Sequence, residues 1–289
     1  MNDPNRYAER VQRVVDYLAG HLDETLDLEA LARVAHFSPY HFHRIYRALL
    51  GETVSDTVRR LRLHRAAIDL LDRELSIERT GRRAGYASQA AFTRAFRAEY
   101  GEPPARYRDA SRVAQINHEG NTAMYRVETR TLPTLRVAAI QHRGDYQLTS
   151  RVFERLMTIA ATTGLLTPAT RTIGIYHDDP MSVPQAELRS TVCITVPDDW
   201  APSGELTEAH IEGGRYARIV HTGPYTELKT AYDWLYQTWL PSSTEEPRNL
   251  PCLEEYLNDP RQVPAKDLET AVLMPLAAGE LDNSEGDHS

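Results

Sequence analysis

The sequence predicts a multidomain fold, in which an all-α N-terminal domain with two helix-turn-helix units precedes a duplicated α+β C-terminal domain. Three observations lead to this fold class. Residues 38–52 return at 88–102 with matching spacing, and residues 140–156 return at 219–235. The charge also changes from weakly basic in the first part of the chain to strongly acidic in the second.

The first repeat reads SPYHFHRIYRALLGE and its copy reads SQAAFTRAFRAEYGE, and an offset of 50 aligns seven identical residues. Behind Ser38 the apolar residues recur at i, i+3, i+4 and i+7, the spacing of one helix face. These residues are Phe42, Ile45, Tyr46 and Leu49. We expect the hydroxyls of Ser38 and Ser88 to cap the two helices, and Gly51 to end the first.

Further helices are predicted around the two copies. A short helix precedes each copy, capped by Asp27 in the first unit and starting near Ser76 in the second. Residues 54–72 form an amphipathic pattern that predicts a long helix between the units, and residues 4–20 predict an opening helix. The second turn should be one residue longer than the first, because the alignment offset falls to 49 before it.

The outer faces of the two copies carry side chains that suit base edges and phosphates. Arg can bond the O6 and N7 of guanine together, and Gln can bond the N6 and N7 of adenine. One helical pair with a charged outer face would be ordinary, but two copies joined by a helix indicate a partner with its own repeat. Duplex DNA is the obvious candidate. The outer residues are Tyr40, His43, Arg44 and Arg47, and then Gln89, Ala90, Thr93, Arg94 and Arg97.

Residues 5–109 resemble the DNA-binding domain of AraC-family transcription regulators, most specifically in GYASQAAFTRAFRAEYGEPPARYR at 85–108. The resemblance implies two recognition helices that enter successive major-groove segments on one face of bent DNA. It assigns base reading to Pro39, Tyr40, His43 and Arg44 in the first helix and to Gln89, Ala90, Thr93 and Arg94 in the second. The family usually has Ile-Ala where this chain has Thr80-Gly81. Because Gly inside a helix costs about 1 kcal/mol relative to Ala, we expect a second unit that is less stable or less tightly packed.

Charge and composition agree with this division. Residues 1–112 hold 19 Arg, no Lys and 16 acidic residues, a net charge of +3, whereas residues 113–289 carry −11. We therefore expect few, local DNA contacts in the first part and no DNA binding by the second. The chain has two cysteines, no apolar run near the roughly 20 residues of a membrane span, and no signal-peptide core, so we expect a cytoplasmic protein without membrane contact.

The expected domains are residues 1–110 and residues 124–276. Residues 111–123 between them are polar and lack helical periodicity, which predicts a linker. Residues 277–289 are acidic and contain Gly and Ser, which predicts a disordered tail.

The acidic part is itself an internal duplication. An offset of 79 aligns IQHRGDYQLTSRVFERL at 140–156 with IVHTGPYTELKTAYDWL at 219–235. An offset of 80 then aligns YHDDP at 176–180 with YLNDP at 256–260. Each half predicts the order strand, helix, strand, strand. Two such halves would form an antiparallel-rich sheet with a pseudo-two-fold cleft, a common place for a ligand.

One position breaks the symmetry, because Gly174 in the first half corresponds to Glu254 in the second. Neighbouring strand residues point in opposite directions, so Glu254 should share a face with Tyr256 and Cys252 while Glu255 points away. We expect this carboxylate to face the cleft; a solvated strand residue is the alternative.

Residues 124–276 resemble the GyrI-like ligand-binding domain. The motifs that carry the resemblance are GIYHDDP (174–180), ELRSTVCITVP (187–197), HTGPY (221–225) and LEEYLNDP (253–260). In that family a glutamate in an aromatic cleft binds cationic or apolar small molecules, and Glu254 falls on its position. The predicted ligand-binding residues are Glu254, Tyr225, Tyr146, Trp200, Tyr256 and Trp234. For Trp234 the alternative is a packing role in the hydrophobic core.

Together these patterns predict a DNA-binding transcription regulator whose activity a cationic or aromatic effector modulates, with RNA polymerase as a further partner. No catalytic residue, metal or cofactor is expected. One alternative is a hydrolase of small electrophiles fused to the DNA-binding domain, with Glu254 as general base and Tyr225 or Tyr146 as hydrogen-bond donor. Another is an acidic interaction module that binds a basic protein surface.

Overall fold

The computed structural model describes residues 5–24, 27–72, 75–109, 125–180 and 182–278, without the side chains of residues 5–8 and 39–40. The predicted linker at 111–123 and the predicted tail beyond residue 278 lie outside the described residues. Within them, no helix is both long enough and apolar enough to cross a membrane.

The N-terminal domain is all α, as predicted. Its helices are α1 (Asn5–Gly20), α2 (Leu28–Val34), α3 (Pro39–Leu50), α4 (Val54–Leu71), α5 (Ile77–Arg83), α6 (Gln89–Tyr100) and α7 over residues 104–109. Each helix-turn-helix unit pairs a helix of 7 residues with one of 12, α2 with α3 and α5 with α6. The second turn is one residue longer, as the shift in offset predicts.

Most of the predicted helix ends are confirmed. The Asp27 carboxylate accepts from the backbone N–H of Glu29, and the Ser88 hydroxyl accepts from that of Ala91 at 3.2 Å. Gly51 ends α3 at a φ of 76°, a left-handed conformation that glycine adopts without strain. The capping role predicted for Ser38 is wrong, because its hydroxyl makes no capping hydrogen bond. The fixed φ of the following proline sets this first turn instead.

Helix α4 belongs to the cores of both units. Its first half packs with the fully buried rings of Phe42 and Tyr46, and its second half packs with Phe92 and Phe96. One continuous helix therefore fixes how α3 and α6 are held relative to each other, since both pack against it.

Gly81 in α5 lies directly against the ring of Phe92. A Cβ at this position would lie 2.9 Å from Phe92 Cδ1, closer than real Cβ contacts allow. Phe92 is fully buried between Tyr86 and Phe96, with ring centroids 5.6 and 5.5 Å away, so its ring has little room to move. The Phe92 ring thus occupies the space that an alanine methyl group would need, and the looser packing expected at Gly81 is wrong.

We predict that Gly81→Ala lowers the free energy of unfolding by about 1–3 kcal/mol, the usual cost of overpacking a core. Helix propensity alone would instead raise it by about 1 kcal/mol. Urea denaturation of the full chain measures the difference. Gly20→Ala is the control, since nothing lies within 4 Å of a Cβ there. Equal or greater stability of Gly81→Ala would contradict the packing argument.

The C-terminal domain is built on one eight-stranded, fully antiparallel sheet in the order β1-β6-β8-β7-β3-β4-β2-β5. Its strands are β1 (Glu128–Leu132), β2 (Leu135–Arg143), β3 (Thr172–Tyr176), β4 (Arg189–Thr195), β5 (Thr207–Ile211), β6 (Gly214–Thr222), β7 (Leu253–Tyr256) and β8 (Glu269–Pro275). Its helices are α8 (Thr149–Thr162) and α9 (Leu228–Trp234), which a π-helical turn, Leu235–Trp239, connects to α10 (Leu240–Ser242).

The predicted duplication is present as β2-α8-β3-β4 and β6-α9-β7-β8. The sequence did not predict β1 and β5, whose short, mostly polar strands lack a clear alternation. Each of these strands pairs with the half that it does not directly precede in the chain. β1 pairs with β6 of the second half, and β5 pairs with β2 of the first. The halves meet where β3 pairs with β7, and there Gly174 lies opposite Glu254.

Candidate functional site

The outward faces of α3 and α6 present most of the predicted DNA-binding residues to solvent. His43, Arg44, Arg47, Gln89, Ala90, Arg94 and Arg97 are exposed, and Thr93 is half-buried. Pro39 and Tyr40 lie in the first turn of α3, and their side chains are outside the description. The opposite faces of α3 and α6 carry buried aromatic rings. Turning the exposed faces inward would expose these rings to solvent and leave cavities in the core.

The arginines of α6 are open to an anionic partner. In the described part of the chain, Arg94 and Arg97 make neither a hydrogen bond nor an ion pair through their guanidinium groups. Each guanidinium can therefore bind a phosphate or a guanine edge without first breaking an internal contact.

A cavity of about 1480 Å³ lies between the two domains and reaches the centre of the sheet. Its C-terminal walls include β3, β7, α8 and α9. Its N-terminal wall is formed by α4 and by Glu99 and Tyr100 at the end of α6. Helices α1 and α3 also contact α8, so the N-terminal domain covers this side of the C-terminal domain.

Glu254 lies at the bottom of this cavity and is 6 % exposed. The Tyr232 hydroxyl donates to its Oε1 at 3.0 Å, and the Tyr256 hydroxyl donates to its Oε2 at 2.9 Å. Burial raises the pKa of Glu254 to about 7, and the two phenol hydrogen bonds partly oppose that rise. Glu255, on the opposite face of β7, pairs with Arg171 at 2.6 Å.

Aromatic rings form the walls around the carboxylate. The ring of Tyr256 is edge-on to Phe153 at 4.8 Å and to Tyr225 at 5.2 Å. Its hydroxyl is 2.9 Å from that of Tyr176, which in turn is edge-on to Tyr146 at 4.9 Å. Together with Glu254 they form a cage with one buried acid and mainly aromatic surface.

Gly174 makes room for this cage. A Cβ there would lie 2.9 Å from the Tyr176 ring and 3.0 Å from the Tyr256 hydroxyl. Gly174 and Glu254 are therefore complementary across the paired strands. The glycine leaves room for Tyr176 and Tyr256 to pack over the sheet next to the glutamate.

The chemistry of the cage favours binding a cation. An apolar, aromatic site with one buried carboxylate holds a positive charge through ion pairing and cation–π contact.

Burial raises the pKa of the nearby Cys252 thiol to about 11, so this group is neutral at physiological pH and a poor nucleophile.

The structure brings four of the predicted ligand-binding residues to the cavity: Glu254, Tyr256, Tyr225 and Tyr146. Trp200 and Trp234 do not line it, which corrects their assignment. Trp200 packs behind α8, with its ring 5.6 Å from the guanidinium carbon of Arg136. Trp234 points from α9 into the core beside the sheet, edge-on to Tyr125 at 5.3 Å.

Several cavity residues were missed by sequence reasoning. Tyr232 lies two positions before Trp234, so helical geometry sends it to the other side, toward the cleft. Tyr176 carried a usable signal, since the repeat aligns it with Tyr256. Arg60 and His64 carried none, because their place in the cavity depends on how the two domains pack.

Residues 125–277, more than half of the chain, match the GyrI-like small molecule binding domain, and residues 31–110 match a helix-turn-helix domain. The regulatory protein SoxS of Salmonella typhimurium is 30% identical over 98 residues, which cover 34% of this chain and 92% of SoxS. The chain belongs to the AraC family of DNA-binding transcription regulators. It carries a GyrI-like small-molecule-binding domain after its AraC-type domain.

This AraC-family protein is also similar to YbfP, an uncharacterized HTH-type transcriptional regulator of Bacillus subtilis. The two are 36% identical over 102 residues, and the chain spans only 35% of the length of YbfP. Among solved structures, the EcmrR–DNA complex matches 86% of this chain and 98% of its own, at 18% identity and a TM-score of 0.47.

Proposed function

We propose that this chain binds a specific duplex DNA site through α3 and α6, and that a small aromatic cation bound at Glu254 changes that binding. The observation that carries the proposal is the placement of two exposed arginine faces on helices whose other sides are buried. Two such helices on one chain match two successive major-groove segments, so one copy of the chain suffices for a full site.

The effector is proposed to be cationic because of the state of Glu254. A carboxylate buried without a positive partner is costly, and its raised pKa reflects that cost. A bound cation would supply the missing charge, and the faces of Tyr225, Tyr256 and Phe153 would surround its aromatic part. A neutral ligand of the same shape gains only the aromatic contacts.

The affinity for a permanent cation should rise with pH. Because the pKa of Glu254 is raised to about 7, the folded protein without ligand favours the neutral acid, and the stability this group contributes is lost as the pH rises through that value. Only the ionised form attracts a cation, so we expect the affinity for trimethyl-2-naphthylammonium to increase about 10-fold from pH 6 to pH 8. Isothermal titration calorimetry measures it. A flat profile, or the same rise with neutral 2-tert-butylnaphthalene, would contradict the assignment.

The proposal is tested by selecting bound DNA from a random pool with the full chain. The selected duplex is then titrated with and without trimethyl-2-naphthylammonium. We expect one consensus site and a change in its affinity of about 5-fold or more when the cation is present. A pool without consensus would overturn the DNA assignment, and an unchanged affinity would overturn the effector assignment.

We further propose the domain limits 1–110 and 124–276, joined by 111–123, with a disordered 277–289. We also propose action in the cytoplasm, because DNA is the partner, and contact with RNA polymerase at the selected site. Transcription from a template carrying that site, with purified polymerase and this chain, tests the last point. No change in transcript level would remove polymerase from the partners.

A second candidate function is hydrolysis of a small strained electrophile in the same cleft. A carboxyl whose pKa lies near 7 suits a general base that activates water. The hydrogen-bond donor to the electrophile would be the predicted Tyr225, because Tyr232 and Tyr256 donate their hydroxyl protons to Glu254 and Tyr146 donates to the Arg189 carbonyl. Diol formation from styrene oxide by the full chain and by Glu254→Gln tests it. Equal rates would exclude the activity.

A further inference from the structure

Helix α4 is more than a spacer between the helix-turn-helix units, because one of its faces lines the cavity. Its cavity-lining residues are Arg60, Leu61, His64, Ile68 and Leu71. These fall at i, i+1, i+4, i+8 and i+11, which is one stripe of an α-helix. The remaining faces of α4 pack into the two N-terminal cores.

Arg60 links this stripe to both domains. Its Nη2 lies 2.7 Å from Oε1 of Glu52 in the N-terminal domain, and its Nη1 lies 2.7 Å from Oε1 of Glu154 on α8. The three side chains are between 6 and 15 % exposed, so the network is largely desolvated. Burial alone would lower the pKa of Arg60, but the Glu154 and Glu52 carboxylates outweigh it and raise the pKa, which keeps the guanidinium charged.

On the N-terminal side, the network continues to the first recognition helix. The Thr57 hydroxyl donates to Glu52 Oε1 at 2.9 Å and is 2.9 Å from the hydroxyl of Tyr46. Tyr46 is fully buried in α3, on the same helix as Arg44 and the other first readers. A displacement of Arg60 would therefore reach α3 through three hydrogen bonds without passing through solvent.

On the other side, the network approaches the carboxylate cage. Glu154 follows Phe153 on α8, and the Phe153 ring contacts Tyr256, which donates to Glu254. A cation seated beside Glu254 would need space against the rings of Tyr256 and Phe153, whose centroids lie 4.8 Å apart. Moving these rings would shift α8, which carries both Phe153 and Glu154, because a packed interior transmits displacement.

We propose that α4 forms one wall of the effector site and that Arg60 passes the presence of a ligand to the first recognition helix. Arg60 is a positioning residue, since it acts through Glu154 and Glu52. The inference rests on the proposed function, because it needs an effector and a DNA site. His64 adds no positive charge to this wall, since burial and the neighbouring Arg60 lower the pKa of His64 to about 4 and keep its imidazole neutral. The charge of Arg60 is balanced by the Glu52 and Glu154 carboxylates.

The relay is tested with Glu154→Gln, which removes the charge on α8 and leaves the Arg60–Glu52 pair intact. The matched control is Glu255→Gln, because Glu255 is equally buried and pairs with Arg171 inside the C-terminal domain. The measured quantity is the factor by which trimethyl-2-naphthylammonium changes affinity for the selected DNA. We expect a factor of about 5 or more in the unaltered chain and in Glu255→Gln, and less than about 2 in Glu154→Gln. A merely structural ion pair would lower stability but leave this factor unchanged, which would overturn the relay.

The contribution of α4 to the cavity wall is tested with Ile68→Trp. This substitution narrows the cavity from the α4 side and changes no residue of the C-terminal domain. Ile77→Trp is the control, since Ile77 is also half-buried and does not line the cavity. We expect Ile68→Trp to weaken binding of the cation about 10-fold and Ile77→Trp to leave it unchanged. Equal affinity in both variants would show that α4 is not part of the site.

A failure of the proposed function gives a different result. If the unaltered chain binds no naphthylammonium cation, the effector class is wrong, and hydrogen exchange then tests the link between the domains. We expect the backbone amides of α4 to exchange about 10-fold faster in Glu154→Gln than in Glu255→Gln, without any ligand. Equal exchange in the two variants would overturn the Arg60 link on its own.

Discussion

Glu254→Gln is expected to weaken binding of trimethyl-2-naphthylammonium by about 2 kcal/mol or more, a loss typical of removing one member of a buried charge pair. Gln keeps the shape. Its oxygen can accept from one of the two phenols that now donate to Glu254, and its amide N–H can donate to the hydroxyl oxygen of the other, so the cage should remain closed. Binding of neutral 2-tert-butylnaphthalene, which has a carbon in place of the ammonium nitrogen, should change little. Isothermal titration calorimetry at pH 8 compares the four affinities.

The control for this experiment is Glu255→Gln, whose side chain lies on the opposite face of β7 and pairs with Arg171. It should bind both compounds like the unaltered chain. An equal loss for cation and neutral compound in Glu254→Gln would mean that the carboxylate shapes the cleft without recognising charge. The effector class would then have to be sought among neutral aromatic molecules.

The second large effect is expected from replacing Arg44 and Arg94 with Ala. Each good bidentate contact between an arginine and a guanine is worth about 1–3 kcal/mol of discrimination, and the two positions lie on different helices. The ratio of specific to non-specific DNA affinity should therefore fall about 10-fold or more for each variant, and roughly by the product for both. Fluorescence anisotropy with the selected duplex and a scrambled one measures the ratio.

Arg130→Ala is the control, because Arg130 is an exposed arginine on β1 of the acidic domain, where it pairs with Glu128. Losing this arginine removes the same charge without touching α3 or α6. We expect no change in the ratio. If Arg44→Ala and Arg94→Ala also leave the ratio unchanged, α3 and α6 do not read bases, whatever their affinity for phosphate.

The helical part of the fold could be predicted because its information is local. The helical spacing of Phe42 and Tyr46 predicts which side of α3 is buried. The repeat places Phe92 and Phe96 at the same spacing in α6, which supports the same prediction. The C-terminal halves were predictable for the same reason. Strands β1 and β5 were not, because edge strands with little buried surface leave a weak alternation in the sequence.

The candidate site could be predicted only in part. The asymmetry between Gly174 and Glu254 pointed to β7, since a carboxylate aligned with a glycine within a buried strand is an unusual difference between the two halves. Aromatic residues were harder to assign, because the sequence does not distinguish a helical tryptophan that packs in a core from one that lines a cleft. Trp234 packs in the core. The share of α4 in the cavity depends on contacts between distant segments, such as Arg60 with Glu154, and no local pattern encodes them.

A hydroxyl-radical footprint of the full chain on its selected DNA tests whether α3 and α6 bind the duplex together. We predict two clusters of protected positions on one face of the duplex, about 10–10.5 base pairs apart, the spacing of two helices in successive major-groove segments. Base-contact interference in Arg44→Ala should vanish from one cluster and in Arg94→Ala from the other. A single cluster, or two clusters that neither variant alters, would show that α3 and α6 do not read DNA together.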